Sequence, residues 1–299
     1  MDRFAIGVDI GGTRTKLGFV NIHSGEVMQI AVVPTERDNE AVFLQQIRAI
    51  AANFIQASLA SGFQLTGIGL GVPAYIDQHG RVDSTYGFLP FMDNGYPLRS
   101  RIEEALKMPC RIDNDARVVA LGEAHYGAGK GRDRVLVLTL GTGLGIGWVV
   151  GGRFPDGRPL GHMGGHISIR SSGERCYCGK QGCLEALVSS AAVPPQWTNM
   201  EQMFTEATRG NADAVSQVDD LLDALHTGIH NYVNLLAPDI IVLGGGIAQG
   251  LKGYEHRLKN DGYLLPHTTY QFELALSTLK ENAGILGAAA LFQLNIPEI

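Results

Sequence analysis

Residues 4–21 read FAIGVDIGGTRTKLGFVN. An apolar run, Phe4 to Val8, enters the loop Asp9-Ile10-Gly11-Gly12-Thr13, and a second run, Lys16 to Asn21, leaves it. Length and pattern predict two antiparallel strands around a turn whose glycines leave main-chain N–H groups unshielded by any Cβ. Such a turn is the size of a phosphate, and Thr13 and Thr15 can add hydroxyl donors. The arrangement returns at 135–150, VLVLTLGTGLGIGWVV, with strands Val135–Leu140 and Ile146–Val150 around Gly141-Thr142-Gly143-Leu144-Gly145. Two copies of one motif predict two related halves.

Working outward, Phe43, Ile47, Ile50 and Phe54 recur at helical spacing within Glu40–Leu59, and Gly62 stands just past the end. A strand at Gly67–Val72 is stopped by Pro73, and a helix from Pro97 to Lys107 starts on proline. Asp113-Asn114-Asp115 opens a further helix that runs to about His125. Strand and helix alternate, which means α/β. The longest helix, Ala212–Leu236, carries Val215, Val218, Leu222, Leu225, Ile229 and Leu236 on one face; a strand, Asp239–Leu243, then runs into Gly244-Gly245-Gly246. The chain has 299 residues, more than one core usually holds. The expected division is a smaller lobe over 1–116, onto which a C-terminal helix (284–299) packs back, and a larger lobe over 117–283.

Lys and Arg number 24 and Asp and Glu 30, a net charge of −6, which argues against non-specific attraction to nucleic acid. At 45% hydrophobic and 18% charged the composition is globular, but 39 glycines are about twice the usual share and need a local cause. The N-terminus lacks the basic region, apolar run and cleavage site of a signal peptide. The uncharged stretch Val135–Gly152 is rich in glycine and reads as a buried hairpin, not a membrane span. The cytoplasm is the default, and its reducing conditions leave thiolates available as ligands.

Three glycine loops, at Asp9–Lys16, Gly141–Gly145 and Gly244–Gly246, suit a polyphosphate, although each alone is also a tight turn or a packing contact. No G-x-x-x-x-G-K-[ST] occurs, and the 141–147 run leads into a strand, so neither common nucleotide motif fits. Asp115 lies at a helix start, where the dipole favours the anion; it would be a weak base but a good acceptor, enough for phosphoryl transfer. The plainer reading is an N-cap. His166, Cys176, Cys178 and Cys183 read H-x9-C-x-C-x4-C with Gly179 and Gly182 between the thiols. Three thiolates and an imidazole form a closed tetrahedral set for a structural Zn²⁺; the alternative is three buried free thiols. Cys110 lies apart and reads as a small core residue.

These residues resemble the ROK sugar kinases of the actin and hexokinase superfamily over nearly the whole chain. V-D-I-G-G-T-R-T-K is similar to the family's first phosphate loop and L-G-T-G-L-G-I-G to its second. D-I-I-V-L-G-G-G-I is similar to its adenosine-side segment and C-Y-C-G-K-Q-G-C-L-E to its zinc signature. The resemblance implies a two-lobed actin/hexokinase-like (ribonuclease H-like) fold with a mixed five-stranded sheet in each lobe, an ATP cleft between the lobes, and a homodimer. It implies ATP-dependent phosphorylation of a hydroxyl of a hexose or hexose derivative, of the glucose, fructose or N-acetylhexosamine class. Asp115 would be the catalytic base, with Asn114, His166 and Glu185 as sugar contacts and His166 also a zinc ligand. Asp9 would sit by ATP-bound Mg²⁺. Gly11, Gly12, Thr13, Lys16, Gly141, Thr142 and Gly143 would hold phosphates, and Gly244, Gly245 and Gly246 would approach the nucleoside.

The departures fall in the sugar pocket. Where the family reads G-E-x-G-H, this chain has G-H-M-G-G-H, Gly161 to His166, so His162 or Met163 replaces the carboxylate; His162 is preferred. The usual Asn has no counterpart between Thr85 and Pro90, and Arg117 replaces a second Asn. An imidazole supplies a donor where a carboxylate accepts, which keeps an N-acetylhexosamine in view. The competing readings are a sugar-binding or sensor protein with little or no kinase activity and a transcription repressor. Repressors of the family carry a DNA-binding helix-turn-helix ahead of the first loop, and only eight residues precede Asp9.

Overall fold

β1 (Arg3–Ile10) and β2 (Arg14–Asn21) form the opening hairpin in the computed structural model, which describes residues 2–83, 89–92, 94–155, 159–259 and 270–294. β3 (Val27–Pro34) extends the hairpin; α1 (Glu40–Ser61) follows, capped by the Asn39 side chain and ended by Gly62 at φ 68°. β4 (Gln64–Val72), the small hairpin β5 (Tyr75–Ile76) and β6 (Val82–Asp83), α2 (Leu98–Leu106) and β7 (Cys110–Asn114) complete the first half. The sheet order is β3-β2-β1-β4-β7, with β1, β4 and β7 parallel. Phe43, Ile47 and Phe54 of α1 are buried against one face with Phe4, Ile6 and Ile68.

α3 (Asp115–Tyr126) leads into β8 (Arg134–Leu140) and β9 (Leu144–Val150), the second hairpin. A 3-10 turn at Pro159–His166 and the cysteine loop precede α4 (Leu184–Val188), α5 (Met200–Thr208) and α6 (Ala212–Leu236). β10 (Ile240–Gly244), α7 (Glu255–Leu258), β11 (Glu273–Leu276) and α8 (Ala283–Ala290) follow. The second sheet runs β11-β10-β8-β9, with β8, β10 and β11 parallel and β9 antiparallel to β8. Four strands thus repeat the pattern of β7-β4-β1-β2, and the chain is α/β with two mixed sheets.

The expectation of five strands in each sheet is corrected for the second: among the described residues it has four. Where the first sheet adds β3, the second turns at Gly151 and Gly152, both at positive φ, and returns only as the single bridge Val150–Arg153. The C-terminal helix is also shorter than expected. It ends at Ala290, a 3-10 turn carries the chain to Gln293, and residues 295–299 lie outside the described residues. Residues 116 and 117, where the sequence divides the lobes, are successive residues of α3.

α8 lies on the first sheet and α3 on the second, and the two helices pack on each other. Glycine makes both contacts possible. A Cβ on Gly7 would sit 1.9 Å from Ile285 O, one on Gly69 1.9 Å from Ala288 O, and one on Gly147 2.2 Å from the Ala120 Cβ. Where the helices touch, a Cβ on Gly287 would lie 1.6 Å from Val118 O. On α6, Val218, Leu222, Leu225 and Ile229 are buried within the chain's own core, beside Leu184 and Phe204. Among the described residues, no helix is long and apolar enough to cross a membrane.

Candidate active site

Because β1, β4 and β7 are parallel, Ile10, Val72 and Asn114 end on one edge of the first sheet; Leu140 and Gly244 share the corresponding edge of the second. Open α/β sheets bind ligands outside these carboxyl ends. Asp9, the three glycine loops and Asp115 all lie there. The 3-10 turn bearing His162 and His166 packs on β9 and reaches β5 and β7, so it bridges the two halves at this edge.

Asn114, not Asp115, caps α3: its buried Oδ1 accepts from the Ala116 and Arg117 N–H groups (3.0 and 3.3 Å), and its Nδ2 donates to Ala74 O (3.2 Å). The Asn114 amide also hydrogen-bonds the Asp115 carboxylate. The Asp115 Oδ1 accepts the Ala116 N–H as well (2.8 Å), and its backbone abuts Gly71, whose missing Cβ would lie 3.5 Å from the Asp115 Cα. Burial, reinforced by the negative charge of Asp9, pushes the Asp115 carboxyl up to about 7. This reverses the expectation that the helix dipole would make it a weak base: desolvation beside a like charge outweighs a dipole worth about 1 kcal/mol. Asp9 is itself raised by burial, against the opposing pull of Lys16 and Arg14. α8 begins on top of it, where a Cβ on Gly284 would come within 2.4 Å of its carboxyl.

The first loop is held by Thr35, which the sequence did not flag. Its hydroxyl donates to Gly11 O (2.7 Å), its N–H donates to Thr13 O (3.0 Å), and Thr15 meets it at 2.9 Å. Gly12 and Thr13 form the outward tip. Lys16 is not at that tip: it is a β2 residue opposite Asp9, buried, with Nζ donating to Glu281 O (3.0 Å) and Asn282 Oδ1 (3.4 Å) and paired to the Glu281 carboxylate. The second loop is shorter than expected, because Gly145 already belongs to β9 and faces Ala116. What remains, Gly141 to Gly143, has an exposed Thr142, and Gly141 has open space beside it. In the third, Gly244 ends β10, Gly245 takes φ 85° against Leu140 O, and Gly246 borders open space.

His166, Cys176, Cys178 and Cys183 place one ligand atom each within 4.8 Å of one another. Cys176 Sγ is 3.4 Å from His166 Nδ1, and Cys178 Sγ is 3.6 Å from Cys183 Sγ. A tetrahedral Zn²⁺ with bonds of about 2.3 Å to sulfur spaces its thiolates by roughly 3.7 Å, so the donor set and its spacing fit that ion. Gly179 (φ 92°) and Gly182 (φ 69°) supply the left-handed turns of the loop, and a Cβ on Gly182 would strike Arg170 O at 2.1 Å. His166 Nε2 meets the Tyr177 hydroxyl at 3.1 Å, the kind of outer contact that orients a metal-bound imidazole. Glu185, buried two residues after Cys183, accepts the Leu144 N–H at 2.9 Å and lies 3.7 Å from His166 Nδ1.

The family model of the ROK family matches residues 5–295. This chain belongs to the ROK family. The glucokinase of Halalkalibacterium halodurans is 32% identical to the ROK chain, over 97% of it and 95% of its own length. The ROK hexokinase of Thermus thermophilus superposes with a TM-score of 0.80 at 28% identity, covering 96% of the ROK chain and 97% of its own. A ROK family glucokinase from Streptomyces griseus, solved with glucose and AMPPNP, superposes at 0.73 and 28% identity over 96% and 98% of the two chains. The fold of the ROK chain is thus the actin/hexokinase-like one. Of the positions at which the sequence is expected to depart from the family pattern, His162 lies on the bridging 3-10 turn. Arg117 is buried, its Nε donating to Asp113 Oδ1 (2.7 Å) and its guanidinium 4.0 Å from the centroid of the Phe154 ring. The stretch between Thr85 and Pro90 falls largely outside the described residues.

Proposed function

We propose that this chain is a sugar kinase that transfers the terminal phosphoryl group of ATP to a hydroxyl of a hexose or hexose derivative. The observation that carries the reading is the half-buried Asp115 beside Asp9, at the strand edge where the glycine loops open. The acceptor hydroxyl donates a hydrogen bond to the Asp115 carboxylate, which holds its oxygen in line with the terminal phosphorus. The O–P bond forms as the P–O bond to ADP breaks, and the hydroxyl proton passes to Asp115. A carboxyl poised near 7 can hold that proton and release it at neutral pH.

Gly11, Gly12, Thr13, Gly141, Thr142 and Gly143 offer main-chain N–H groups to the phosphates; Gly244 to Gly246 lie by the nucleoside. Asp9 would sit by the ATP-bound Mg²⁺, which would supply charge neutralisation there. Lys16 acts from behind, fixing the chain just before α8 beside Asp9. Asn114, His162, His166 and Glu185 line the sugar side. Since His162 brings a donor where the family has a carboxylate, the acceptor class includes N-acetylhexosamines, whose carbonyl suits it. His166 and the three cysteines hold a structural Zn²⁺. The first sheet with α1 and α2 forms one lobe and the second with α4 to α7 the other; α3 and α8 lie between. The protein is cytoplasmic, where its thiols stay reduced, and dimeric, as the resemblance implies.

The test is ADP release measured across hexoses, N-acetylhexosamines, ketoses and cyclitols with MgATP. Sugar-dependent release with one class is the expected outcome; sugar binding without release under any condition would assign the chain to the sensors instead.

A further inference from the structure

Glu185 touches two places that a sugar contact alone would not need to join. Its Oε2 accepts the Leu144 N–H at 2.9 Å, at the exit of the second glycine loop, and a Cβ on Gly143 would sit only 2.8 Å from the same oxygen. Its Oε1 faces the cluster, 3.7 Å from His166 Nδ1 and 3.8 Å from Cys176 Sγ. α4, which carries it, is five residues long and fastened at both ends. Its N-cap is Cys183 itself, and Leu184 N–H donates to Ile167 O (2.9 Å). Just past its other end, Ser190 N–H donates to Gly141 O (2.9 Å), and the Ser190 hydroxyl lies 3.4 Å from Thr142 O. Both ends of the glycine loop are therefore tied to a short helix whose start is one of the four ligands.

We propose that Glu185 is a positioning residue that couples the His/Cys cluster to the second glycine loop, so that Zn²⁺ held by the cluster sets the shape of residues 141–144 and thereby the affinity for the nucleotide's phosphates. One turn of helix has no slack to absorb a shift of Cys183. Without the ion, the four ligands lose their common centre and His166 and Cys176 are free to leave Oε1, while the Leu144 N–H depends on Glu185 for its acceptor. Coupling of this kind is reciprocal: a nucleotide seated on the loop must tighten the hold on the metal by the same factor. The nucleotide half of the proposal rests on the kinase reading; the link between cluster and loop does not.

Amide hydrogen exchange at Leu144 tests the link without any assay of turnover. With Zn²⁺ bound, the amide is protected. Chelation and Glu185→Ala each speed its exchange by about tenfold or more, whereas Glu185→Gln, which keeps an acceptor oxygen, stays within about twofold of the unaltered protein. Gly143→Ala, which pushes on Oε2 from the other side, exposes the amide as Glu185→Ala does. Transfer of Zn²⁺ to a chromophoric chelator slows by about fivefold when MgAMPPNP is present, and Glu185→Ala abolishes that slowing. Chelation that frees the amides of Cys178 to Gly182 but leaves Leu144 protected overturns the proposal, as does exchange in Glu185→Gln as fast as in Glu185→Ala. If MgAMPPNP does not bind at all while the Leu144 amide responds as stated, the kinase reading fails and the coupling stands.

Discussion

Asp115 is uncharged over a wider pH range than a surface aspartate, because burial and then the Asp9 charge push its carboxyl up to about 7. Only the ionised form accepts the acceptor's proton, so kcat/KM should rise with pH and level off above about 7. Asp9→Asn removes the second cause but not the first. The acid limb should move to lower pH and remain above the ordinary aspartate range, and an unmoved limb would mean that the two carboxyls do not sense each other. Asp115→Asn should lower kcat by roughly 10²–10⁴-fold while sugar KM changes little, since the amide still binds a hydroxyl. Stability gives an independent check with a fixed sign. A carboxyl raised in the folded state binds its proton more tightly there than in the unfolded chain. The stability this contributes is full below about 4 and lost as pH rises towards 7. Asp115→Asn should therefore melt higher than the unaltered protein at pH 8, by about 3 °C, and equal it near pH 4. A lower melting point at pH 8 would contradict the raised carboxyl.

At the level of strands and helices, the glycine surplus has two causes, between which the sequence left the three loops open. Gly67, Gly69 and Gly71 alternate along β4, and Gly145 and Gly147 along β9, so each set lies on a single strand face. Those faces receive α8 and α3, and the period of two is the signal that separates packing glycines from loop glycines. The loop glycines are adjacent or flank a threonine, as at Gly11-Gly12-Thr13. Two substitutions distinguish the classes. Gly287→Ala forces a Cβ into Val118 O at 1.6 Å and should destabilise by about 3 kcal/mol or more, read from denaturant midpoints. Gly246→Ala meets nothing within 4 Å, and its φ of −63° suits any residue, so stability should hold within about 0.5 kcal/mol while nucleotide KM rises. If it altered stability and left nucleotide KM untouched, Gly246 would be a packing glycine as well. Thr35 shows the limit of local pattern: its hydrogen bonds to the first loop span 24 and 22 residues, a pairing that only the β2–β3 register creates.

Across the whole molecule, the repeat of strand, glycine loop and strand was legible because both copies keep an apolar run on each side. The shortfall of a fifth strand among the described residues was not, because a bridge of one residue pair has no period to read. The cluster of His166 and the cysteines was legible from spacing alone, yet its place beside the second loop depends on α4 and on the Ser168–Cys183 bridge, which no spacing encodes. That placement also sets what metal loss can do. The large cores around Leu136, Leu225 and Ile241, and around Phe4, Ile47 and Ile68, contain no cysteine of the cluster. Among the described residues, the cysteines cluster with Ala186 as their one buried apolar neighbour, far too little to order their loop without a ligand. The purified protein should carry about one Zn²⁺ per chain by metal analysis. Chelation should open residues 167–183 to limited proteolysis while the far-UV circular dichroism, dominated by helices such as α1 and α6 in those cores, changes by less than about 10%. Cooperative loss of the whole signal would show instead that the ion holds the second half together, and a protein purified without chelator that contains no metal would leave the four ligands as a thiol cluster.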